Sequence, residues 1–116
     1  NGVDAERFER VYRMLLSDTV ARFPNIKFLL LEPFVLWASA TEEHWEVFSK
    51  EVPLRANAVK KLAEEFNAGF VGLQEKFDQA CTLAPASYWL GDGVHPTVAG
   101  HQLIADAWLH SFKELT

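Results

Sequence analysis

The sequence predicts an α/β fold with a parallel sheet covered by helices on both faces, and it predicts only part of one. Three observations lead there. Helix-patterned segments alternate with short strand-patterned ones, in the order helix, strand, helix, strand, short helix, loop, helix. Both strand-like runs are apolar without polar alternation, the pattern of strands buried on both faces. Only these two such runs occur, and two parallel strands do not make a stable sheet by themselves. The chain therefore reads as the C-terminal part of a larger α/β domain, with its N-terminal strands missing from this chain.

The elements follow from residue spacing. In residues 4–23 the apolar positions Phe8, Val11, Tyr12, Leu15, Leu16, Val20 and Phe23 share one helical face. Asp4 is placed to cap the start and Pro24 to end it. Phe28, Leu29, Leu30 and Leu31 make the first strand, closed by Pro33. Residues 35–53 lack a clear period. They carry Trp37, His44, Trp45 and Phe48, with Thr41 as a cap for a short helical piece. A helix is expected over 53–66, with Leu54, Ala58, Val59, Leu62 and Phe66 on one side. Asn67 and Gly69 suit its C-terminal end. Residues 68–73 read as the second strand, and a short helix carrying Leu73, Phe77, Ala80 and Cys81 follows. Pro85 breaks it, and a loop is expected up to His95. Thr97 is placed to cap the last helix, whose inward face is expected to hold His101, Ile104, Ala105, Trp108 and Phe112.

Composition narrows the function classes. With 116 residues there is one domain at most. Hydrophobic content of 49% and a mean hydropathy of −0.04 are enough for a packed core. A net charge of −5, with no basic run beyond Lys60–Lys61, argues against nucleic acid or an anionic membrane as partner. One cysteine, Cys81, excludes an internal disulfide and cysteine-based zinc patterns, and it reads as a small buried residue on a helix. No apolar run approaches the roughly 20 residues of a membrane span. With no secretory signal in the chain, a cytoplasmic setting is expected, although the chain opens on Asn1 rather than Met and its natural N terminus is expected to lie elsewhere. Lys60, Lys61, Glu64 and Glu65 read as a solvated helix face supported by i,i+4 pairs. His44 reads as structural, and His110 as lying on a solvent face.

Chemistry concentrates in "GDGVHP", residues 91–96. His95 precedes Pro96 and is biased to extended backbone, so it sits before the helix rather than in it. Gly91 and Gly93 let the chain turn sharply around Asp92. An Asp three residues before a His, across such a turn, reaches the imidazole Nδ1–H, fixes the tautomer and leaves Nε2 as a base. The loop follows the last strand-like unit, where ligand sites of open α/β sheets lie. Two other readings stay open on the pattern alone. One is an ordinary Asx turn before a helix. The other is a metal site of Asp92, His95 and His101, which the core-facing position expected for His101 disfavours.

The stretch "DGVHPTVAGHQLIADAWL" resembles the last block of the SGNH hydrolases, also known as GDSL-type esterases and lipases. Asp92, His95, Pro96, Thr97 and Gly100 match that block in order. The segments "FLLLEPF", "RANAVKKLAEEFN" and "AGFVGLQEKF" match the family's C-terminal half, so the likeness spans about residues 4–115. Within the family the chain most resembles bacterial carbohydrate O-acetylesterases. The resemblance implies a three-layer αβα (flavodoxin-like) domain of which residues 1–116 are the C-terminal portion. It implies serine-ester hydrolysis with Asp92 and His95 as catalytic residues, an ester substrate such as an acetylated sugar, and no cofactor or metal. Trp37 and Trp89 are candidates to wall the acyl or sugar pocket, against plain loop packing. Glu32, at the first strand's end, is placed to touch substrate or to cap a neighbouring loop.

The departures from the family pattern matter as much. Its nucleophile is the Ser of a Gly-Asp-Ser block, and its oxyanion hole draws on that Ser, a Gly and an Asn from a Gly-x-Asn-Asp block. None of these blocks occurs here, and Ser17, Ser39, Ser49, Ser87 and Ser111 lie outside any such context. The chain is thus expected to carry the base and its orienter, with a missing N-terminal segment or another chain completing the sheet and supplying the Ser. The alternative expectation is a non-catalytic binding or interaction module on the same partial fold.

Overall fold

The computed structural model describes residues 2–115. Seven elements follow one another: α1 (Ala5–Arg22), β1 (Leu29–Leu31), α2 (Trp45–Glu65), β2 (Gly69–Val71), α3 (Gln74–Ala80), α4 (Ala86–Trp89) and α5 (Val98–Leu115). The strands pair in parallel with Leu29 opposite Gly69, Leu30 opposite Phe70 and Leu31 opposite Val71. The fold is α/β, a small parallel sheet among helices, and both strands have an unpaired edge among the described residues.

Each face of the pair carries its own core. Leu30 points to the α1/α2 side, where it meets Leu16, Val59, Leu62 and Ala63. Val71 points to the other side, into a cluster with Leu36, Leu73, Phe77, Leu90 and Ala107. Fully burying a side chain such as Leu62 or Phe77 contributes roughly 1.5–3 kcal/mol. Leu31, by contrast, is more than a third exposed, so the apolar run of β1 is not covered along its whole length. Val11 and Leu15 on α1 and Phe23 at its C-cap are likewise exposed, although the helical pattern places them with the buried Leu16.

The caps read from sequence hold at both long terminal helices. Asp4 accepts the Arg7 N–H at 2.7 Å, and Thr97 Oγ1 accepts the Gly100 N–H at 3.2 Å. Asn67 takes a left-handed φ of 52° just past α2.

Four expectations are corrected. First, α2 starts at Trp45, not at Pro53, and runs through the proline. A mid-helix proline costs roughly 3 kcal/mol. Half-burial of Trp45, Phe48 and Val52 on the first two turns works against that cost, and Ser49 Oγ turns back onto Glu46 O. Leu54 is half exposed rather than inward. Second, the expected loop after Pro85 contains α4, because Pro85 opens a helix as readily as it ends one. Third, Lys61 and Glu65 do not pair along α2. They reach across to α1, where Lys61 meets Glu9, and Arg13 bridges Glu9 and Glu65. Fourth, the phase of α5 is rotated from the one expected. Gly100, Leu103, Ile104 and Ala107 face the core, while His101 and Ala105 are exposed and Trp108 and Phe112 stack on each other at the surface. The cause is Gly100. It lies against the Trp89 carbonyl, and this close approach sets the rotation of the helix whatever the bulk of its other residues.

Cys81 caps the C-terminal end of α3 and is half-buried rather than buried. Burial pushes its thiol pKa up, with the Asp78 charge as a lesser cause.

Candidate active site

The loop between α4 and α5 is closed on itself. Leu90 and Pro96 form an antiparallel bridge, the Gly91 N–H donates to His95 O at 3.0 Å, and the Thr97 N–H donates to Trp89 O at 3.0 Å. The Thr97 hydroxyl donates to Tyr88 O and also lies 3.1 Å from Trp89 O. Inside this closure Gly93 takes φ of +100°, a conformation that L side chains rarely adopt. That turn brings Asp92 over the backbone of the two residues that follow it.

The Asp92 carboxylate is used at both oxygens. Oδ1 accepts the Val94 N–H at 2.9 Å and the His95 N–H at 2.8 Å. Oδ2 lies 2.6 Å from His95 Nδ1. An ionised carboxylate has only acceptor sites, so Nδ1 carries the proton and Nε2 holds the lone pair. The His95 side chain is 82% exposed, so that lone pair is open to whatever approaches the loop. "DGVH" is therefore an Asx turn and an Asp–His pair at once, one carboxylate oxygen serving each.

Both readings also set the Asp92 pKa. The His95 backbone N–H, then the His95 ring and then the Val94 N–H hold its carboxyl well below the usual carboxylate range. A carboxyl lowered on folding stabilises the folded chain fully above the ordinary carboxylate range of about 3.9, and that contribution is lost as pH falls through the lowered folded value. Urea unfolding of wild type and Asp92→Asn should accordingly differ most at neutral pH, and the gap should narrow as pH drops below about 4. A gap that widened with acid would contradict the pairing.

A second loop holds the first in place. After β1 the chain passes under Gly93, and the Leu36 N–H donates to Gly93 O while the Ala40 N–H donates to Asp92 O, each at 2.9 Å. Thr41, fully buried, organises this segment: its Oγ1 accepts the Ala38 N–H at 2.9 Å and donates to Leu36 O at 2.6 Å. It does not cap the helix that follows, which starts at Trp45 with His44 at its cap position. Gln74 fastens the same segment from α3. Its side-chain amide accepts the Val35 N–H and donates to Val35 O, each at 2.9 Å, in the manner of a paired strand. Glu32 caps α3 by accepting the Leu73 and Gln74 N–H groups at 2.8 Å through Oε1, the capping role expected of it. Thr41 and Gln74 stand 50 or so and 20 or so positions from the Asp–His loop, and no spacing rule in the sequence connects them to it.

The two tryptophans part company. Trp37, next to Leu36, is 56% exposed and borders a cavity of about 420 Å³ with Trp45, Pro53, Gln74, Asp78 and Ala86 among its lining. Trp89 is half-buried, packs against the Leu90 core, meets Tyr88 edge to face, and donates its indole N–H to Ala84 O at 3.3 Å. His101 is exposed on α5, and no group of three His, Cys, Asp or Glu side chains that could hold a metal lies together among the described residues. No helix among them is long and apolar enough to cross a membrane. His110 is solvent-facing and sits 3.4 Å from Glu114.

The chain has a fold related to that of the SGNH/GDSL hydrolases. No protein-family model matches it. Among curated proteins it is 32% identical over 106 residues to an acetylxylan esterase of Geobacillus stearothermophilus, across 90% of this chain and 45% of that protein. Among solved structures it superposes with a TM-score of 0.86 and 37% identity on a Parabacteroides merdae protein named for its likeness to GDSL lipases, across 96% of this chain and 50% of that one. A crystal structure of an acetylxylan esterase from Geobacillus stearothermophilus gives a TM-score of 0.75 at 27% identity, over 92% of this chain and 46% of that one. The chain thus spans about half the length of the relatives it matches.

Proposed function

We propose that residues 1–116 are the C-terminal portion of a single three-layer αβα (flavodoxin-like) SGNH domain, and that the complete domain is a serine-ester hydrolase of the carbohydrate O-acetylesterase or related GDSL type. The observation that carries this reading is the 2.6 Å contact of His95 Nδ1 with an Asp92 carboxylate already fixed by its own backbone. Such a pair presents Nε2 as a base and stabilises the imidazolium that forms. In this reading Nε2 removes the proton from a serine Oγ as that oxygen attacks the ester carbonyl carbon. The tetrahedral intermediate collapses, the imidazolium gives its proton to the departing alcohol oxygen, and an acyl-serine remains. Water then takes the place of the serine, and the same proton transfers release the acid. The serine and the oxyanion donors come from a segment outside these 116 residues, N-terminal to them or on another chain.

Three features support an incomplete domain. Leu31 is exposed on β1, that strand has an unpaired edge among the described residues, and the stacked Trp108 and Phe112 lie 37% and 43% exposed on α5. Trp37, at its cavity mouth, is the better candidate to meet the alcohol or acyl portion, and Trp89 acts through packing. A cytoplasmic setting belongs to the same reading. The relatives found bear the names of esterases and a lipase-like protein, so the non-catalytic alternative is not favoured.

The test is covalent. The complete protein should release acetate from an acetylated xylo-oligosaccharide and should take up one fluorophosphonate, on a serine outside these 116 residues. The 116-residue chain by itself should do neither. Labelling at Ser17, Ser39, Ser49, Ser87 or Ser111, or hydrolysis of p-nitrophenyl acetate by the 116-residue chain at enzyme rates, would refute the proposal.

A further inference from the structure

We propose that Thr41 is a positioning residue for the Asp92–His95 pair and acts through Gly93. The hydroxyl of Thr41 is the one polar side chain that is fully buried among the described residues, and it sits at the hinge between the two loops. A Cβ placed on Gly93 would collide with Leu36 O and would stand 2.7 Å from Thr41 Oγ1 and 3.1 Å from Thr41 Cγ2. The Gly93 backbone is therefore walled by Thr41 and by the very carbonyl that receives the Thr41 hydroxyl.

The consequence runs in one direction. Oδ1 of Asp92 reaches the Val94 and His95 N–H groups only while Gly93 keeps its turn of φ +100°. The wall holds that turn, and two backbone bonds, Leu36 N–H to Gly93 O and Ala40 N–H to Asp92 O, bind it to the wall. Thr41 holds the donors of those bonds in register by bridging Ala38 N and Leu36 O. Without its hydroxyl, the Ala38 N–H and the Leu36 carbonyl lose their partner, and leaving such buried groups unpaired favours a segment opened to water. Opening it frees Gly93, and Oδ2 no longer stays 2.6 Å from Nδ1. This holds whether or not the pair hydrolyses esters.

The experiment reads the imidazole directly. In protein labelled with ¹⁵N-histidine and held at alkaline pH, the ring nitrogen shifts report which nitrogen carries the proton. Wild type should show His95 protonated at Nδ1. Thr41→Val keeps the shape and removes the hydroxyl, and it should lose that signature by mixing in the Nε2–H tautomer. Thr41→Ser restores the hydroxyl without the methyl, and it should restore the wild-type pattern. A folded Thr41→Val chain with an unchanged His95 tautomer overturns the proposal, and so does a Thr41→Ser chain that loses it. If the valine variant does not fold, Thr41→Ala removes the same hydroxyl with a smaller side chain and takes its place: it should mix in the Nε2–H tautomer, and an unchanged His95 tautomer overturns the proposal. Because no substrate is involved, failure here leaves the hydrolase reading standing, and failure of fluorophosphonate labelling leaves this one standing.

Discussion

Replacing His95 by Ala in the complete protein should lower kcat/KM for an acetyl ester by about 10²–10⁴-fold, the usual share of a positioned general base. Asp92→Asn should fall as far, to about 10⁴-fold, although its shape is nearly unchanged. An asparagine side chain offers one oxygen and one NH₂ where the carboxylate offers two acceptors. If its oxygen keeps the two backbone N–H groups now held by Oδ1, its NH₂ faces Nδ1. The imidazole then accepts at Nδ1 and carries its proton on Nε2, the wrong nitrogen for a base. Circular dichroism and the unfolding midpoint at acid pH separate this from misfolding. Steady-state kinetics that showed less than a tenfold loss for both variants would remove Asp92 and His95 from the chemistry.

The second large effect falls on stability. Gly100→Ala should destabilise the chain by about 1–3 kcal/mol or more. Helix propensity alone predicts the opposite sign, since Ala is favoured over Gly by about 1 kcal/mol inside a helix. The clash decides. An added Cβ would run into Trp89 O and stand 3.1 Å from Trp89 C and 3.3 Å from the Pro96 ring. Trp89 O cannot simply retreat, because it also accepts the Thr97 N–H that starts α5. Gly72→Ala serves as the control: a Cβ there meets nothing within 4 Å. Urea midpoints should move down for the first and stay close to wild type for the second. Equal midpoints would show that α5 is free to shift away from α4.

These cases also show what the sequence made legible. Local rules carried far. The Asp4 and Thr97 caps, the Asn67 helix end and the Asp92–His95 contact join residues within a few positions, and the parallel strand pair follows from two continuous apolar runs set between helices. What failed to show was whatever a distant contact decides. The phase of α5 depends on how closely Gly100 approaches Trp89, so counting bulky residues pointed His101 and Trp108 inward. The continuation of α2 through Pro53 depends on packing that offsets a local penalty. The hold of Gln74 on Val35, and of Thr41 on the loop beneath Gly93, spans tens of residues with no periodic mark. Trp37 and Trp89 looked equivalent as loop tryptophans, and only burial tells the exposed one from the packed one.

The stacked rings of Trp108 and Phe112 lie 5.0 Å apart and nearly parallel, on the same flank of α5 as Ala105. For the chain handled alone, that flank is a colloidal liability. Together with the edges of β1 and β2 left open among the described residues, it gives copies of the chain both an adhesive strip and a template for strand addition. The expected result is self-association of the isolated chain that grows with concentration, read by light scattering across a dilution series.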